Sequence, residues 1–205
     1  MVKFRILLMD CTRRSEPSEA TFLSEFFKMM NQRYPKSIEF SPIEINDKMQ
    51  FLEQLRSKWA NIIHISAHGY SSKSKSGRRG KRTSIYIKDE RVTSEEISKL
   101  PKIPRKLISV SACLTSYQDM ANAFLKIGAK HYIAPKTNLE WIDAALFYIM
   151  FYKRYLYDRK SLDASFKYAR KNTKLGKHFQ EYWYIASKHS FFLFPNKKML
   201  LSKMA

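Results

Sequence analysis

The chain has 205 residues, 38 basic against 18 acidic, and a formal net charge of +20. Its 44% apolar and 14% aromatic content is too rich for a disordered chain and sufficient for one cored domain over residues 1–205. No apolar run approaches the ~20 residues needed to span a bilayer, and two cysteines, Cys11 and Cys113, cannot build a disulfide framework or a zinc site, so reduced thiols of a cytoplasmic protein are expected.

Lys3 to Met9 reads as a first strand that closes on Asp10-Cys11-Thr12-Arg13-Arg14; with no small-residue cleavage site it does not read as a signal peptide. Ser18 to Tyr34 is helical, with Phe22, Phe26 and Met29/Met30 on one face and Pro35 ending it. Ser37 to Ile45 alternates as a second strand, and Asp47 to Trp59 reads as a helix with Met49, Leu52, Leu55 and Trp59 inward. Asn61 to Ser66 is a third, apolar strand. A Ser/Gly/Lys/Arg loop spans 71–83, exposed by its composition. Ile85 and Ile87 mark a short strand, and Thr93-x-x-Glu96 is a capping box opening a helix that Pro101 ends. Lys106 to Ser111 is the fourth long strand. Thr115-x-x-Gln118 reads as the cap of the next helix (Met120, Phe124, Ile127), stopped by Gly128. His131 to Ala134 is a further strand, Trp141 to Tyr155 and Ser161 to Lys171 are helices, and the aromatic run Tyr182 to Phe194 supplies a last strand or an edge cover.

Strands and helices alternate, which predicts an α/β fold: a three-layer α/β/α sandwich with a mostly parallel central sheet. In such sheets the working site lies beyond the carboxyl ends of the strands. Three such ends carry reactive groups: Asp10-Cys11, His68-Gly69 and, 45 residues after His68, Cys113. A thiol at the end of a buried strand and ahead of a helix N-terminus gains thiolate character. An imidazole beside a close-turning glycine serves as general base and then as acid toward a leaving amine. The backbone N–H groups of Gly69 and Cys113 are placed to form an oxyanion hole. His64, inside the strand, reads as a packed histidine. His131, His178 and His189 have no ligand-like spacing, and no Walker loop or Gly-x-Gly-x-x-Gly occurs, so neither a metal nor a cofactor is implied.

Ser66-Ala67-His68-Gly69 and Ser111-Ala112-Cys113-Leu114-Thr115 resemble the His-Gly and Ala-Cys motifs of the caspase-like cysteine peptidase clan. The helix, glycine and strand of Ala121 to Ala134, and the helices Trp141 to Tyr155 and Leu162 to Arg170, are similar to the bacterial CHAT branch of that clan. The resemblance implies a cysteine endopeptidase with His68 and Cys113 as its dyad. It also implies a protein substrate, an activating partner or co-encoded effector, and a setting in bacterial defence or regulated death. In the clan, specificity is set near the end of the first strand and two residues before the cysteine. Those positions carry Asp10 and Ser111: Asp10 would suit a basic P1 residue and Arg13 or Arg14 an acidic one, and because Asp10 directly ends the strand a substrate basic or apolar at P1 is expected.

The charge is unevenly spread. Residues 73–82 hold six basic side chains and no acid, and the chain from Lys153 on has thirteen basic against three acidic. Such a field attracts polyanions and acidic partner surfaces. The loop reads as solvated, as a processing site or as a charged flap over the cleft. Two alternatives to a peptidase share these residues: a silent, protein-binding member of the fold, and a nucleic-acid binder whose contact, resting on charge alone, would be non-specific.

Overall fold

The computed structural model describes residues 4–72, 82–174, 176–186 and 191–193. In chain order they form β1 (Phe4–Asp10), α1 (Glu19–Arg33), β2 (Ile38–Glu44), α2 (Lys48–Gln54), β3 (Ile62–Ser66), β4 (His68–Ser72), β5 (Arg82–Ile87), β6 (Glu90–Thr93), α3 (Ser94–Ser98) and β7 (Leu107–Val110). There follow α4 (Gln118–Lys126), β8 (His131–Pro135), α5 (Trp141–Tyr152), α6 (Leu162–Asn172), β9 (Phe179–Ala186) and β10 (Phe191–Leu193). A π-helical stretch, Lys153–Tyr157, continues α5.

Seven strands form the main sheet in the order β10-β9-β8-β7-β3-β1-β2. Neighbours from β2 to β8 are parallel, and β9 and β10 add antiparallel. The expected α/β architecture is therefore the observed one. The aromatic run near the C-terminus supplies two strands, β9 and β10. A separate antiparallel sheet holds β4, β5 and β6. Along β1 the side chains alternate: Phe4, Ile6 and Leu8 join the core under α1, α5 and α6, whereas Leu7 and Met9 join the core under α2, α3 and α4. Burial on both faces is what makes these strands continuous apolar runs.

Two helices depart from expectation. Phe22 and Met29 of α1 are exposed, and the buried stripe is Ala20, Leu23, Phe26 and Phe27. The rotation is set at the helix start, where Glu19 is buried and bound to Ser66 and His64 under the sheet. Residues four, seven and eight positions on from Glu19 then face inward with it. The second helix stops at Gln54, and Met49 is 75% exposed; Phe51 is its buried residue, and Leu55 is buried just past its end. The chain leaves the helix because buried Arg105 draws in the carbonyls of Leu55, Ser57 and Ala60 at 2.6–2.7 Å. The capping box at Thr93 and Glu96 forms as expected, and Gly128 ends α4 with a φ of 112°. Residues 73–81, the heart of the expected basic loop, lie outside the described residues. Among the described residues no helix is long and apolar enough to cross a membrane.

Candidate active site

Three parallel strand ends converge as expected. Asp10 of β1 registers with Ser66 of β3, and the Ser111 N–H just past β7 donates to the Ile65 carbonyl at 2.8 Å. Asp10, Ser66 and Ser111 thus form a row across three strands, and by the alternation of β1, β3 and β7 all three face α1 and α5. Each is held differently. The Asp10 carboxylate accepts from the Thr12 N–H (3.1 Å) and hydroxyl (2.7 Å). The Ser66 hydroxyl donates to Glu19 at 2.8 Å. The Ser111 hydroxyl is buried and has no hydrogen-bond partner among the described residues.

His68 does not end β3. After Ser66 the chain breaks at Ala67, and His68 opens β4, the first strand of the small sheet. That sheet is tied to the helix after the cysteine, because Asp119 in the first turn of α4 accepts from the Thr83 N–H and hydroxyl, each at 2.7 Å. The two motifs meet at their backbones. A Cβ placed on Gly69 would lie 1.9 Å from the Cys113 carbonyl oxygen and 2.9 Å from its carbonyl carbon and nitrogen. Glycine is required here by space, so that the His68 segment can lie flush on the Cys113 segment.

Cys113 sits further from its helix than the sequence suggests. Thr115 does not cap α4: its hydroxyl donates to the Ala112 carbonyl at 2.6 Å and closes a turn over residues 113–116. Helix α4 begins only at Gln118, with no side-chain cap. The chain must reverse off β7 before it can turn helical, and Leu114 takes a left-handed φ of 61° to do so, a conformation unusual for a residue with a side chain. The turn is pinned by Tyr132, whose hydroxyl donates to the Thr115 carbonyl at 2.9 Å, and by the Ser116 N–H on the Pro135 carbonyl at 3.0 Å. Helix-terminus stabilisation fades within a turn, so the thiol draws little from α4. The half-buried thiol instead faces Leu139, accepting from its N–H at 3.3 Å and donating to its carbonyl at 3.6 Å. Among the described residues it makes no hydrogen bond to His68.

The His68 ring is 63% exposed and its Nε2 lies 2.8 Å from a Glu16 carboxylate oxygen. That hydrogen bond, with smaller help from the Arg13 N–H, holds the Glu16 carboxyl below its usual range. Beside His68 is an open cavity of about 320 Å³ lined by Arg13, Glu16, Tyr86, Lys88 and Asp89. Its cations are paired: Arg13 with Asp89, and Lys88 with Glu44 at 3.1 Å and Asn46 at 2.6 Å. Cys11 points to the opposite core, fully buried, with burial pushing its thiol well up. Both cysteines are free.

Beneath the row lies a buried polar chain that the sequence did not announce. The Ser18 hydroxyl meets Ser66 at 2.9 Å, Ser66 bonds Glu19, and Glu19 meets His64 Nε2 at 3.3 Å. His64 Nδ1 is 3.0 Å from the Ser109 hydroxyl and 3.1 Å from that of Tyr152. His64 is thus the packed histidine expected, with its partners now named. The clue to Glu16 and Glu19 was two acids in the segment that joins the first strand to the first helix, on the edge where His68 and Cys113 arrive. Leu139 left no signal of its role. Among the described residues no cluster of three or more His, Cys, Asp or Glu could hold a metal ion.

The family model of the CHAT domain matches residues 13–192. The crystal structure of the Saccharomyces cerevisiae separase–securin complex shares the fold at a TM-score of 0.55 and 13% identity, over 88% of this chain and 12% of that one. The chain thus spans about an eighth of the length of that separase structure's chain. A sequence search of curated proteins finds no match. With the fold, the paired motifs and 180 residues aligned to one family model, the chain belongs to the CHAT domain family of the caspase-like cysteine peptidase clan.

Proposed function

We propose that this protein is a cysteine endopeptidase whose nucleophile is Cys113 and whose base is His68. The observation that carries the reading is the contact of Gly69 on the Cys113 backbone, which brings the start of β4 in the small sheet against the turn that follows β7 in the main one. Cys11, the other thiol, is excluded by its burial. His68 takes the thiol proton, and the thiolate adds to a peptide carbonyl. The oxyanion is met by the Gly69 and Cys113 N–H groups; the Cys113 N–H donates to no backbone carbonyl among the described residues. Collapse breaks the C–N bond, with His68 handing its proton to the leaving amine, and water then hydrolyses the thioester. Before attack the thiol must let go of Leu139. The S1 pocket is read at Asp10 and Ser111. Arg13 is paired with Asp89, and Asp10 makes no ion pair among the described residues, which supports a basic P1 residue. A protein effector or activator in a bacterial defence or regulated-death system is the partner this reading expects.

The test is alkylation with an activity-directed thiol probe. Cys113 labels fastest in the wild type, more slowly in His68→Ala, and not at all in Cys113→Ala. If Cys113 reacts no faster than a free thiol and His68→Ala changes nothing, the protein is a silent, partner-binding member of the fold.

A further inference from the structure

We propose that Glu16 is a positioning residue for His68: it holds the imidazole by Nε2, leaving Nδ1 as the nitrogen offered to the Cys113 thiol. This rests on the reading of His68 as the base.

An imidazole 63% exposed at the start of a short strand has little packing to choose its rotamer. A base that must meet a thiol within hydrogen-bond reach cannot be left to wander. Glu16 supplies the missing constraint, and it is itself held by contacts other than the one to His68. The Glu16 N–H donates to the Arg13 carbonyl at 2.9 Å, and the Arg13 N–H donates to the same Glu16 oxygen that meets His68, at 3.3 Å. The carboxylate is therefore part of a closed turn.

That turn is clamped at both ends. Before it, the Cys11 N–H donates to the Ser66 carbonyl at 2.8 Å, and the Lys88 N–H donates to the Cys11 carbonyl at 3.0 Å. After it, Ser18 and Glu19 are bound into the buried chain through Ser66 and His64. Within it, Arg13 pairs with Asp89 on the turn between β5 and β6. The same strand, β3, therefore anchors the loop that carries Glu16 and leads directly into His68. The buried polar chain acquires a purpose in this arrangement: it registers the start of α1 against the strand that delivers the base.

A solvent-exposed side-chain pair adds little to stability, so a merely structural role and a positioning role predict different results. Glu16→Ala is expected to melt within about 2 °C of wild type. Its Cys113 alkylation rate and peptide kcat are expected to fall roughly ten- to a hundredfold, with KM moving little. Glu16→Gln keeps an acceptor oxygen for Nε2–H and is expected to restore most of the rate. In a His68→Ala background, Glu16→Ala is expected to add nothing further. A Glu16→Ala rate within twofold of wild type, or a loss that persists undiminished in the His68→Ala background, overturns the proposal and leaves the dyad standing. A Cys113 rate indifferent to His68→Ala removes the dyad, and the positioning role with it.

Discussion

Gly69→Ala is the substitution that weighs most on this structure. The added Cβ would sit 1.9 Å from the Cys113 carbonyl oxygen, against the 3.0 Å that real Cβ atoms keep, so one segment must retreat by about 1.1 Å. Neither can do so cheaply. The Cys113 turn is pinned by Thr115, Tyr132 and Ser116, and β4 is paired along its length with β5. Forcing a methyl into a filled site costs roughly 1–3 kcal/mol, which for a chain of this size lowers Tm by about 2–12 °C. A displacement of about 1 Å at a reacting centre is expected to slow the chemistry by about a hundredfold. Thermal melting and the rate of Cys113 alkylation read the two effects separately. Gly69→Ala with wild-type Tm and wild-type thiol reactivity would show that the two motifs do not touch in solution, and the site as described would fall.

Iodoacetamide on the native protein is expected to modify Cys113 and spare Cys11, whose thiol is fully buried and shifted well up by that burial; mass mapping checks it, and Cys11 should react only on unfolding. His64→Leu takes one of the two hydrogen-bond partners from the buried Glu19 side chain and is expected to cost about 1–3 kcal/mol in urea denaturation, much of which the double variant with Glu19→Leu should recover. Tyr148, Tyr152 and Tyr157 have phenols raised above their ordinary 10 by burial, so the native state binds more protons than the unfolded chain above that pH. The stability this represents is complete below pH 10 and is lost as pH rises past it; an ultraviolet tyrosine titration should show these groups ionising together with unfolding.

Much of the fold was legible because buried parallel strands and amphipathic helices write their periods into the chain. The apolar runs mark β1, β3, β7 and β8 to within a residue or two, and the sequence puts the motif pair at the carboxyl edge of those strands. What misled was capping chemistry and helix rotation. Thr115 has the spacing of a cap and serves a turn, because a strand that ends in a reversing loop needs a hydroxyl for its carbonyl sooner than the helix needs one for its N–H groups. Phe22 and Met29 satisfy a helical period as well as Leu23 and Phe27 do, and only the inward anchor at Glu19 chooses between the stripes.

By itself the sequence determined that the chain is an α/β sandwich, that Cys113 and His68 lie just past the ends of two parallel strands, and that the molecule is strongly cationic. Those properties follow from local pattern and composition. Tertiary structure alone decided which groups touch. It put the Gly69 backbone on Cys113, gave the thiol to Leu139 and the imidazole to Glu16, and buried Glu19 with His64. Each of these contacts joins residues from 26 to 52 positions apart, or from different sheets, and the distance between such residues is fixed by the packing of whole elements. A periodicity confined to a few turns or one strand carries no information about it.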